Sequence, residues 1–575
     1  MSWQDNYQLW QKAQNLDLDL KAQLKEMADD PKALEDAFTA PMEFGTAGMR
    51  GVLGPGINRM NIYTVRQATE GLANFMDTLD DTTKQRGVAI SYDSRYNSEL
   101  FAHEAAKVLG AHGIPSYVFD QLRPTPELSF TVRYLKTYAG IMITASHNPK
   151  QYNGYKIYGP DGGQMPPKEA DLITSYVRKV ADIFSIPVVA ETKLREAGLM
   201  HLIGEDVDQA YLADLKTVTI NSDLVAKTGK DMKLVYTPLH GTGKMLAERV
   251  LHNAGFQGFS IVTKQAILDP EFPTTPFPNP EFPQTFDLAI QLGQQEGADV
   301  LIATDPDADR LGTAVRQPDG SYQLLTGNQI ASILLHYILQ ARKDAGTLPA
   351  NGAVVKSIVS TELATKIAES YGVKMIDVET GFKFIAEQIE HFEETGEHEF
   401  LFGFEESYGY LVKPFVRDKD AMQATVLLSE VAAYYKAQGL TLYDGLEKLY
   451  QEYGYYSEKT VSKDFPGIKG GQEMQDLMAR FRAEKPSAFN KVDVNVTEDY
   501  EAQKAYYADG KVETIDMPVS NVLKYKLEDG TWIAIRPSGT EPKIKFYVGT
   551  QAESEKAAEA KLDAFETALN EFMAQ

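Results

Sequence analysis

The sequence predicts an α/β protein of four domains, three α/β units followed by a smaller C-terminal α+β domain. Three observations carry that expectation. The chain has 575 residues, about four times the usual domain size, so several separate cores are possible. Short apolar runs of strand length alternate with helix-length amphipathic stretches in three successive blocks, which is the rhythm of βαβ units. Past about Ser457 that rhythm gives way to strand, tight loop, strand and a closing helix.

In chain order, residues 1–40 place Trp10, Leu16, Leu20, Leu24 and Met27 at near-helical spacing among charges. This predicts amphipathic helices that form an extension packed on the first domain. Domain 1, residues 41–205, opens with FGTAGMRGVLGPGINRMN (Phe44 to Asn61). Its five glycines let backbone approach a ligand and its Arg50 offers a fixed cationic fork, although a surface hairpin has the same composition. Strands are expected within Gly87–Arg95 (GVAISYDSR), Ser116–Asp120 and Gly140–Ile143, joined by helices in a parallel sheet. The third strand stops where Asn148, Pro149, Asn153 and Gly154 signal turns. Ser146 therefore sits on a loop at a strand's carboxyl end, where open α/β sheets bind ligands. We read it as a phosphoryl-carrying nucleophile. No Gly-x-Ser-x-Gly elbow surrounds it, and adjacent His147 is poorly placed as a hydrolase triad base.

Domain 2, residues 206–325, repeats the rhythm with KLVYTPLHGTG (Lys233 to Gly243), Phe259–Thr263 and ADVLIATDPDADR (Ala298 to Arg310). Between the last two lies Asp269–Pro283, whose six prolines rule out helix and favour an extended, rigid loop. Its sequence alone suggests no chemistry. Domain 3, residues 326–455, carries Ala353–Ser360, Lys374–Lys383 and Phe400–Ser407 as its strands. The three blocks look like structural repeats with slight sequence self-similarity. Domain 4, residues 456–575, contains WIAIRPSGTEPKIKFYVGT (Trp532 to Thr550) and a closing helix over 552–575.

Composition narrows the function. With 43% hydrophobic and 24% charged residues, the chain is ordinary for a soluble globular protein. It holds no cysteine, which excludes disulfides, thiolate metal sites and a cysteine nucleophile and suits a cytoplasmic location. No signal-peptide pattern or membrane-length apolar run is present. A net charge of −24 repels nucleic acid and anionic membranes at long range, so neither is expected as a partner. An anionic small molecule would need a local basic pocket.

Three further motifs follow apolar strands or turns. In DPDADR, alternate residues of an extended loop point the same way, so Asp305, Asp307 and Asp309 converge and call for a hard cation. Oxygen-only ligands point to Mg²⁺. An EF-hand is rejected, since the sixth position is Arg310 rather than glycine and the twelfth is Arg316 rather than glutamate. Arg310 is placed to meet a phosphate beside the metal. In GFEES, Glu405, Glu406 and Ser407 offer acceptors suited to sugar hydroxyls. In RPSGTEPKIK, Arg536, Ser538, Gly539 and Thr540 supply a guanidinium, two hydroxyls and a turn, together a phosphate cradle.

TASHNP, DPDADR, GFEES and RPSGTEPKIK stand in the order and loop settings of the α-D-phosphohexomutases, and the chain resembles that family from about Pro41 to its C-terminus, its phosphoglucomutase members most of all. The resemblance implies three α/β units with mixed sheets plus a smaller α+β domain around a central cleft. It implies Ser146 as the phosphorylated serine and Asp305, Asp307 and Asp309, with Ser146, as Mg²⁺ ligands. It further implies Glu405 and Ser407 on sugar hydroxyls, Arg536, Ser538, Gly539 and Thr540 on the non-reacting phosphate, and Arg50, Lys156 and Lys383 near the cleft. The activity it implies is interconversion of α-D-glucose 1-phosphate and glucose 6-phosphate through phosphoserine, with glucose 1,6-bisphosphate as intermediate and activator. Lys156, first, or His147 would accept the attacking hydroxyl's proton. Mannose and pentose phosphates are alternative substrates, and GFEESYGY leaves ring size open. A non-catalytic sugar-phosphate sensor and a metal-dependent phosphatase are the readings from other classes. The sequence leaves the oligomeric state open.

Overall fold

The computed structural model describes residues 2–42, 48–465, 470–538 and 543–574. The chain falls into two compact units. The first comprises Met1–Gly327, Phe382–Gly403 and Ser407–Thr441, and the second Asn328–Gly381, Phe404–Glu406 and Leu442–Gln575.

The first unit begins with the expected helical extension, Trp3–Lys12, Leu18–Glu26 and Pro31–Phe38. A reciprocal Ser2–Asp5 capping box starts the first helix, and Asp30 with Pro31 starts the third. Their apolar stripes enclose Trp10, Leu16, Leu20, Leu24, Leu34 and Phe38 with Tyr63 of the first domain, while Met27 is only partly buried. Trp10 meets Phe38, Tyr63 and Phe184 edge-on at ring centroid distances of 5.8, 5.5 and 5.4 Å. The extension is thus a satellite core seated on the first α/β unit.

That unit's sheet has six strands: β1 (Met49–Val52), β2 (Val88–Tyr92), β3 (Ser116–Phe119), β4 (Ala139–Ile143), β5 (Tyr152–Tyr158) and β6 (Met200–Ile203). Their spatial order is β1-β5-β4-β2-β3-β6. β4, β2, β3 and β6 run parallel, while β5 and β1 are antiparallel, so the sheet is mixed. Both faces are covered, which makes β2 and β4 buried at every position instead of alternating. Val88, Ile90, Ile141 and Ile143 face one core with helix Ser98–Ala111, whereas Ala89 and Met142 face Leu128 and Val132 of helix Thr125–Leu135. β4 is clamped between β2 and β5, and that fixes the point at which the Ser146 loop leaves the sheet.

The second sheet has five strands, β7 (Leu234–Thr237), β8 (Phe259–Ile261), β9 (Val300–Thr304), β10 (Leu311–Arg316) and β11 (Tyr322–Leu325), in the order β11-β10-β9-β7-β8. β9, β7 and β8 are parallel, and β10 returns antiparallel beside β9 with Leu311 opposite Thr304. DPDADR is therefore the loop of a hairpin. The proline-rich stretch forms no helix apart from a 3₁₀ turn at its end, Pro283–Phe286.

A third sheet of four strands includes β12 (Gly352–Ser357), β13 (Lys374–Val378), β14 (Glu399–Glu405) and β15 (Gly409–Leu411), with β12 and β13 parallel. The C-terminal sheet is wholly antiparallel: β16 (Tyr455–Asp464), β17 (Ala488–Phe489), β18 (Val492–Asp499), β19 (Lys504–Tyr507), β20 (Val512–Thr514), β21 (Leu523–Leu527), β22 (Trp532–Pro537) and β23 (Lys543–Ala552). Ile533, Ile535, Phe546 and Val548 face helices Gly470–Glu484 and Glu555–Ala574. Trp532, Ala534 and Tyr547 point the other way and pack with Ile358 and Val359, just past β12. The fourth domain shares a core with this part of the third. Among the described residues no helix is long and apolar enough to cross a membrane.

Candidate active site

Ser146 is held by its backbone. Its φ is +50°, an uncommon left-handed geometry for a residue with a side chain. Its N–H donates to Thr144 Oγ1 at 2.7 Å, and Thr144 Oγ1 in turn donates to Asp93 Oδ2 at 2.7 Å. Asp93 also pairs with the Arg95 guanidinium at 3.2 Å and accepts the Ser98 hydroxyl at 2.8 Å. Burial pushes the Asp93 carboxyl up, against the pull of Arg95. Arg95 Nη2 reaches Ser146 O at 2.5 Å and Nη1 reaches the carbonyls of Pro149 and Tyr152 at 2.9 and 3.1 Å. So fixed, the serine hydroxyl donates to Asp305 Oδ2 at 2.7 Å and lies 3.2 Å from His147 Nδ1. Burial, reinforced by Arg310 and Arg50, holds the His147 imidazole well below its usual range.

The aspartates converge, but through a turn and not through the extended loop the spacing suggests. Ala308 has φ +50°, its N–H donates to Asp305 O at 2.9 Å, and Asp305 Oδ1 accepts the N–H groups of Asp309 and Arg310 at 3.2 and 3.1 Å. The β9–β10 hairpin forces this reversal, so the carboxylates point inward because the backbone curls around them. One oxygen from each of Asp305, Asp307 and Asp309 lies within 4.8 Å of the others, and all three residues are buried. At such distances two carboxylates repel by about 3–4 kcal/mol at an effective dielectric constant near 20.

Cations answer part of that repulsion. Lys156 Nζ lies 3.2 Å from Asp307 Oδ2, which also accepts the Thr125 hydroxyl at 2.9 Å, and Lys419 Nζ lies 3.1 Å from Asp309 Oδ2. Burial opposes ionisation of Asp307, yet Lys156 and these hydrogen bonds hold its carboxyl low. Burial and the neighbouring aspartates push Asp305 well up, and burial with Asp307 pushes Asp309 up. Asp307 Oδ1 and Asp309 Oδ1 are buried without a hydrogen-bond partner. Orphaned oxygens in an all-carboxylate cluster fit a hard divalent cation with Ser146 beside it.

The HGTG stretch backs this turn. Thr242 N–H donates to Pro306 O at 2.8 Å, and a Cβ on Gly241 would stand 2.2 Å from Pro306 Cα. Gly241→Ala is therefore expected to displace the aspartate turn and cost about 1–3 kcal/mol of stability. Thermal unfolding with and without Mg²⁺ checks it: the midpoint falls and its Mg²⁺ response shrinks.

The remaining predicted residues divide between the units. In the first, Arg310 Nη1 donates to Ser407 O at 3.1 Å, and exposed Arg50 donates to Asn148 Oδ1 at 3.0 Å. Arg50 thus meets the Ser146 loop, and Arg310 carries the aspartate turn to Ser407. Lys383 lies in the first turn of helix Phe382–Thr395, its ammonium 5.0 Å from the Phe384 ring centroid. In the second unit, Glu405 Oε1 accepts Gly381 N–H at 2.8 Å and Glu406 Oε2 accepts the Ser357 hydroxyl at 2.9 Å. Burial, then Glu405, pushes the Glu406 carboxyl up. Burial raises Tyr547 as well, with the charges of Glu406, Arg536 and Glu405 acting on its hydroxyl. Ser538 N–H donates to Lys543 O at 2.8 Å. Gly539 and Thr540 lie outside the described residues, as do Glu43 to Ala47 of the glycine-rich opening.

Sequence reasoning passed over Asp93, Arg95, Thr125 and Lys419. Asp93 and Arg95 stand directly after an apolar strand in YDSR, as the aspartates do in DPDADR, and that parallel was available. Lys419, inside RDKD, looks like any charge run.

Four family descriptions match the chain in order: phosphoglucomutase/phosphomannomutase α/β/α domain I over residues 41–183, domain II over 209–320, domain III over 326–453, and the C-terminal domain over 479–567. The phosphoglucomutase of Staphylococcus haemolyticus is 39% identical over 521 residues, 90% of this chain and 92% of that one. The chain belongs to the phosphoglucomutase/phosphomannomutase family. The phosphoglucomutase of Staphylococcus aureus is 37% identical over 530 residues, 92% and 93% of the two chains. Two solved structures share the family fold. Parafusin, a phosphoglucomutase from Paramecium, aligns at TM-score 0.66 with 18% identity over 91% of this chain and 94% of its own. A phosphoglucomutase/phosphomannomutase family protein from Burkholderia thailandensis aligns at 0.63 with 18% identity over 92% and 96%. Three mixed α/β sheets followed by a C-terminal antiparallel domain are the architecture of the family's four domains.

Proposed function

We propose that this chain is a Mg²⁺-dependent phosphoglucomutase that interconverts α-D-glucose 1-phosphate and glucose 6-phosphate through a phosphoserine at Ser146. The observation that carries the reading is the Ser146 hydroxyl at 2.7 Å from Asp305 inside a buried three-aspartate cluster. Relatives 37–39% identical over about nine-tenths of the chain bear that name. Asp305, Asp307 and Asp309, with one oxygen on Ser146, would hold Mg²⁺. Bound there, the ion offsets charge on the transferring phosphoryl group.

In the first half, the phosphoserine O–P bond breaks as the sugar phosphate's free hydroxyl bonds to phosphorus and gives up its proton. The bisphosphate then turns around. In the second half, the Ser146 hydroxyl attacks the other phosphoryl group, loses its proton and becomes phosphoserine again, while the departing sugar oxygen is protonated. A neutral His147 imidazole 3.2 Å from Ser146 Oγ suits the serine's proton, and Lys156, whose ammonium pairs with Asp307 at 3.2 Å, can take the sugar's only after releasing its own. Arg310, Lys419 and Arg50 supply nearby positive charge. Glu405 and Ser407 receive sugar hydroxyls, Lys383 is assigned to the bound sugar phosphate, and Arg536, Ser538, Gly539 and Thr540 anchor the phosphate that does not react. Arg536→Ala is expected to raise KM about 10- to 100-fold, the loss of a charge-assisted hydrogen-bond pair, with kcat changed much less. An unaltered KM removes the cradle.

The deciding experiment is ³¹P NMR of the protein with Mg²⁺ and α-glucose 1-phosphate, with and without trace glucose 1,6-bisphosphate. Growth of glucose 6-phosphate, faster with the bisphosphate, is expected. An unchanged spectrum rejects glucose and moves the assignment to mannose or pentose phosphates. Inorganic phosphate alone makes the protein a phosphatase.

A further inference from the structure

The proline-rich segment Asp269–Pro283 is a long motif the catalytic reading does not use, and its residues Glu271 and Phe272 meet Lys150 and Arg95. Phe272 is buried with φ +47°, and its ring centroid is 5.0 Å from the Arg95 guanidinium carbon. That guanidinium is the group that donates to the carbonyls of Ser146, Asn148, Pro149 and Tyr152. Next to Phe272, Glu271 accepts the Tyr96 hydroxyl at 2.5 Å and pairs with Lys150, which belongs to the same loop. The segment is itself tied down. Thr274 Oγ1 meets His240 Nε2 at 2.8 Å and accepts Gln265 Nε2 at 3.2 Å, while His240 Nδ1 meets Ile267 O at 2.8 Å. A rigid stretch of the second domain thus touches the serine loop of the first at two points, once through Arg95 and once through Lys150.

We propose that Phe272 and Glu271 are positioning residues for phosphoryl transfer, Phe272 keeping Arg95 on the Ser146 loop and Glu271 tethering that loop through Lys150, which together hold the serine oxygen against the aspartate turn. The kinetic part of this inference rests on the mutase reading; the structural part does not. An aromatic face under a guanidinium is a weak attraction against the stability of a domain but a strong one against the freedom of one buried arginine. Transfer is sensitive to such freedom, because a misplacement of about 1 Å costs on the order of 10²-fold in rate. Once its carbonyl anchor can leave, the left-handed Ser146 is held only by its N–H on Thr144 and its hydroxyl on Asp305.

The test compares the parent with Phe272→Leu, Phe272→Tyr and Glu271→Gln in full-length protein. Phe272→Leu keeps the apolar filling and loses the π face; Phe272→Tyr keeps both. Expected for Phe272→Leu is a fall in kcat of about tenfold with KM for glucose 1-phosphate unchanged, together with faster hydrogen exchange in the peptide covering residues 144–153. Phe272→Tyr should restore both readouts, and Glu271→Gln should give a smaller effect of the same kind. Parental kcat and parental exchange in Phe272→Leu would overturn the proposal, and so would a rise in KM at constant kcat. If no leucine or tyrosine variant folds, Glu271→Gln at the segment's exposed edge decides through the same two readouts. A parent that fails to turn over glucose phosphates defeats the mutase reading by itself, and the exchange comparison still decides the positioning.

Discussion

Ser146→Ala is expected to abolish both the phosphoenzyme and turnover, with kcat falling by on the order of 10⁴-fold or more, about 5.5 kcal/mol of transition-state stabilisation. No neighbouring group replaces the lost oxygen: His147 and Asp305 meet Ser146 only through its hydroxyl. The fold should be indifferent. Arg95 holds the Ser146 carbonyl and Thr144 holds its N–H, and neither bond uses the side chain. Intact-mass measurement after incubation with glucose 1,6-bisphosphate should show phosphate on the parent and none on the variant, at matching unfolding temperatures. Phosphorylation at full level elsewhere in the variant would end the serine mechanism.

Asp307→Ala has the second largest expected effect, and it acts on stability as well as activity. Asp307 is the aspartate held ionised, and it faces Lys156 at 3.2 Å and the Thr125 hydroxyl at 2.9 Å. Removing it strands a buried lysine, a change that typically costs about 3–5 kcal/mol. It also deletes one of the three candidate ligands, so kcat/KM should fall on the order of 10³-fold, about 4 kcal/mol. The two effects separate in a Mg²⁺ titration of the unfolding temperature. Mg²⁺ should stabilise the parent in proportion to its site occupancy, and the variant should start lower and respond little. A variant with the parental Mg²⁺ response would remove Asp307 from the cation site.

The legible features are those written locally in the chain. β4 and β9 are buried on both faces, so each appears as an apolar run, and the chemistry follows at once in TASHN and DPDADR. The helical extension is equally plain, because Leu20 and Leu24 fall on one face of the second helix and Trp10 on the buried side of the first. The aspartates were read correctly as a cluster and incorrectly as an extended loop, since alternate carboxylates fit either geometry and only the antiparallel return of β10 chooses the turn. The partners that set the electrostatics were beyond reach of any spacing rule. Lys419 lies 110 positions from Asp309, and Thr125 lies 182 from Asp307; only the fold brings them together. The shared core of Trp532 with Ile358 and Val359 likewise joins segments that the sequence presents as separate domains.

The grip of Arg95 on the Ser146 loop bears on how this chain tolerates change. A guanidinium bound to the carbonyls of Ser146, Asn148, Pro149 and Tyr152 reads main chain, and every amino acid presents the same carbonyl. Replacing Asn148, Gln151 or Tyr152 therefore alters what the loop shows a substrate without withdrawing any acceptor that positions the serine. Variation in preference and preservation of the nucleophile are separated at this loop. Asp93, Thr144 and Arg95 have no such latitude, because there the bonds belong to the side chains. Drift in substrate preference is thus directed to the loop's surface, and the serine's coordinates are inherited from three buried residues.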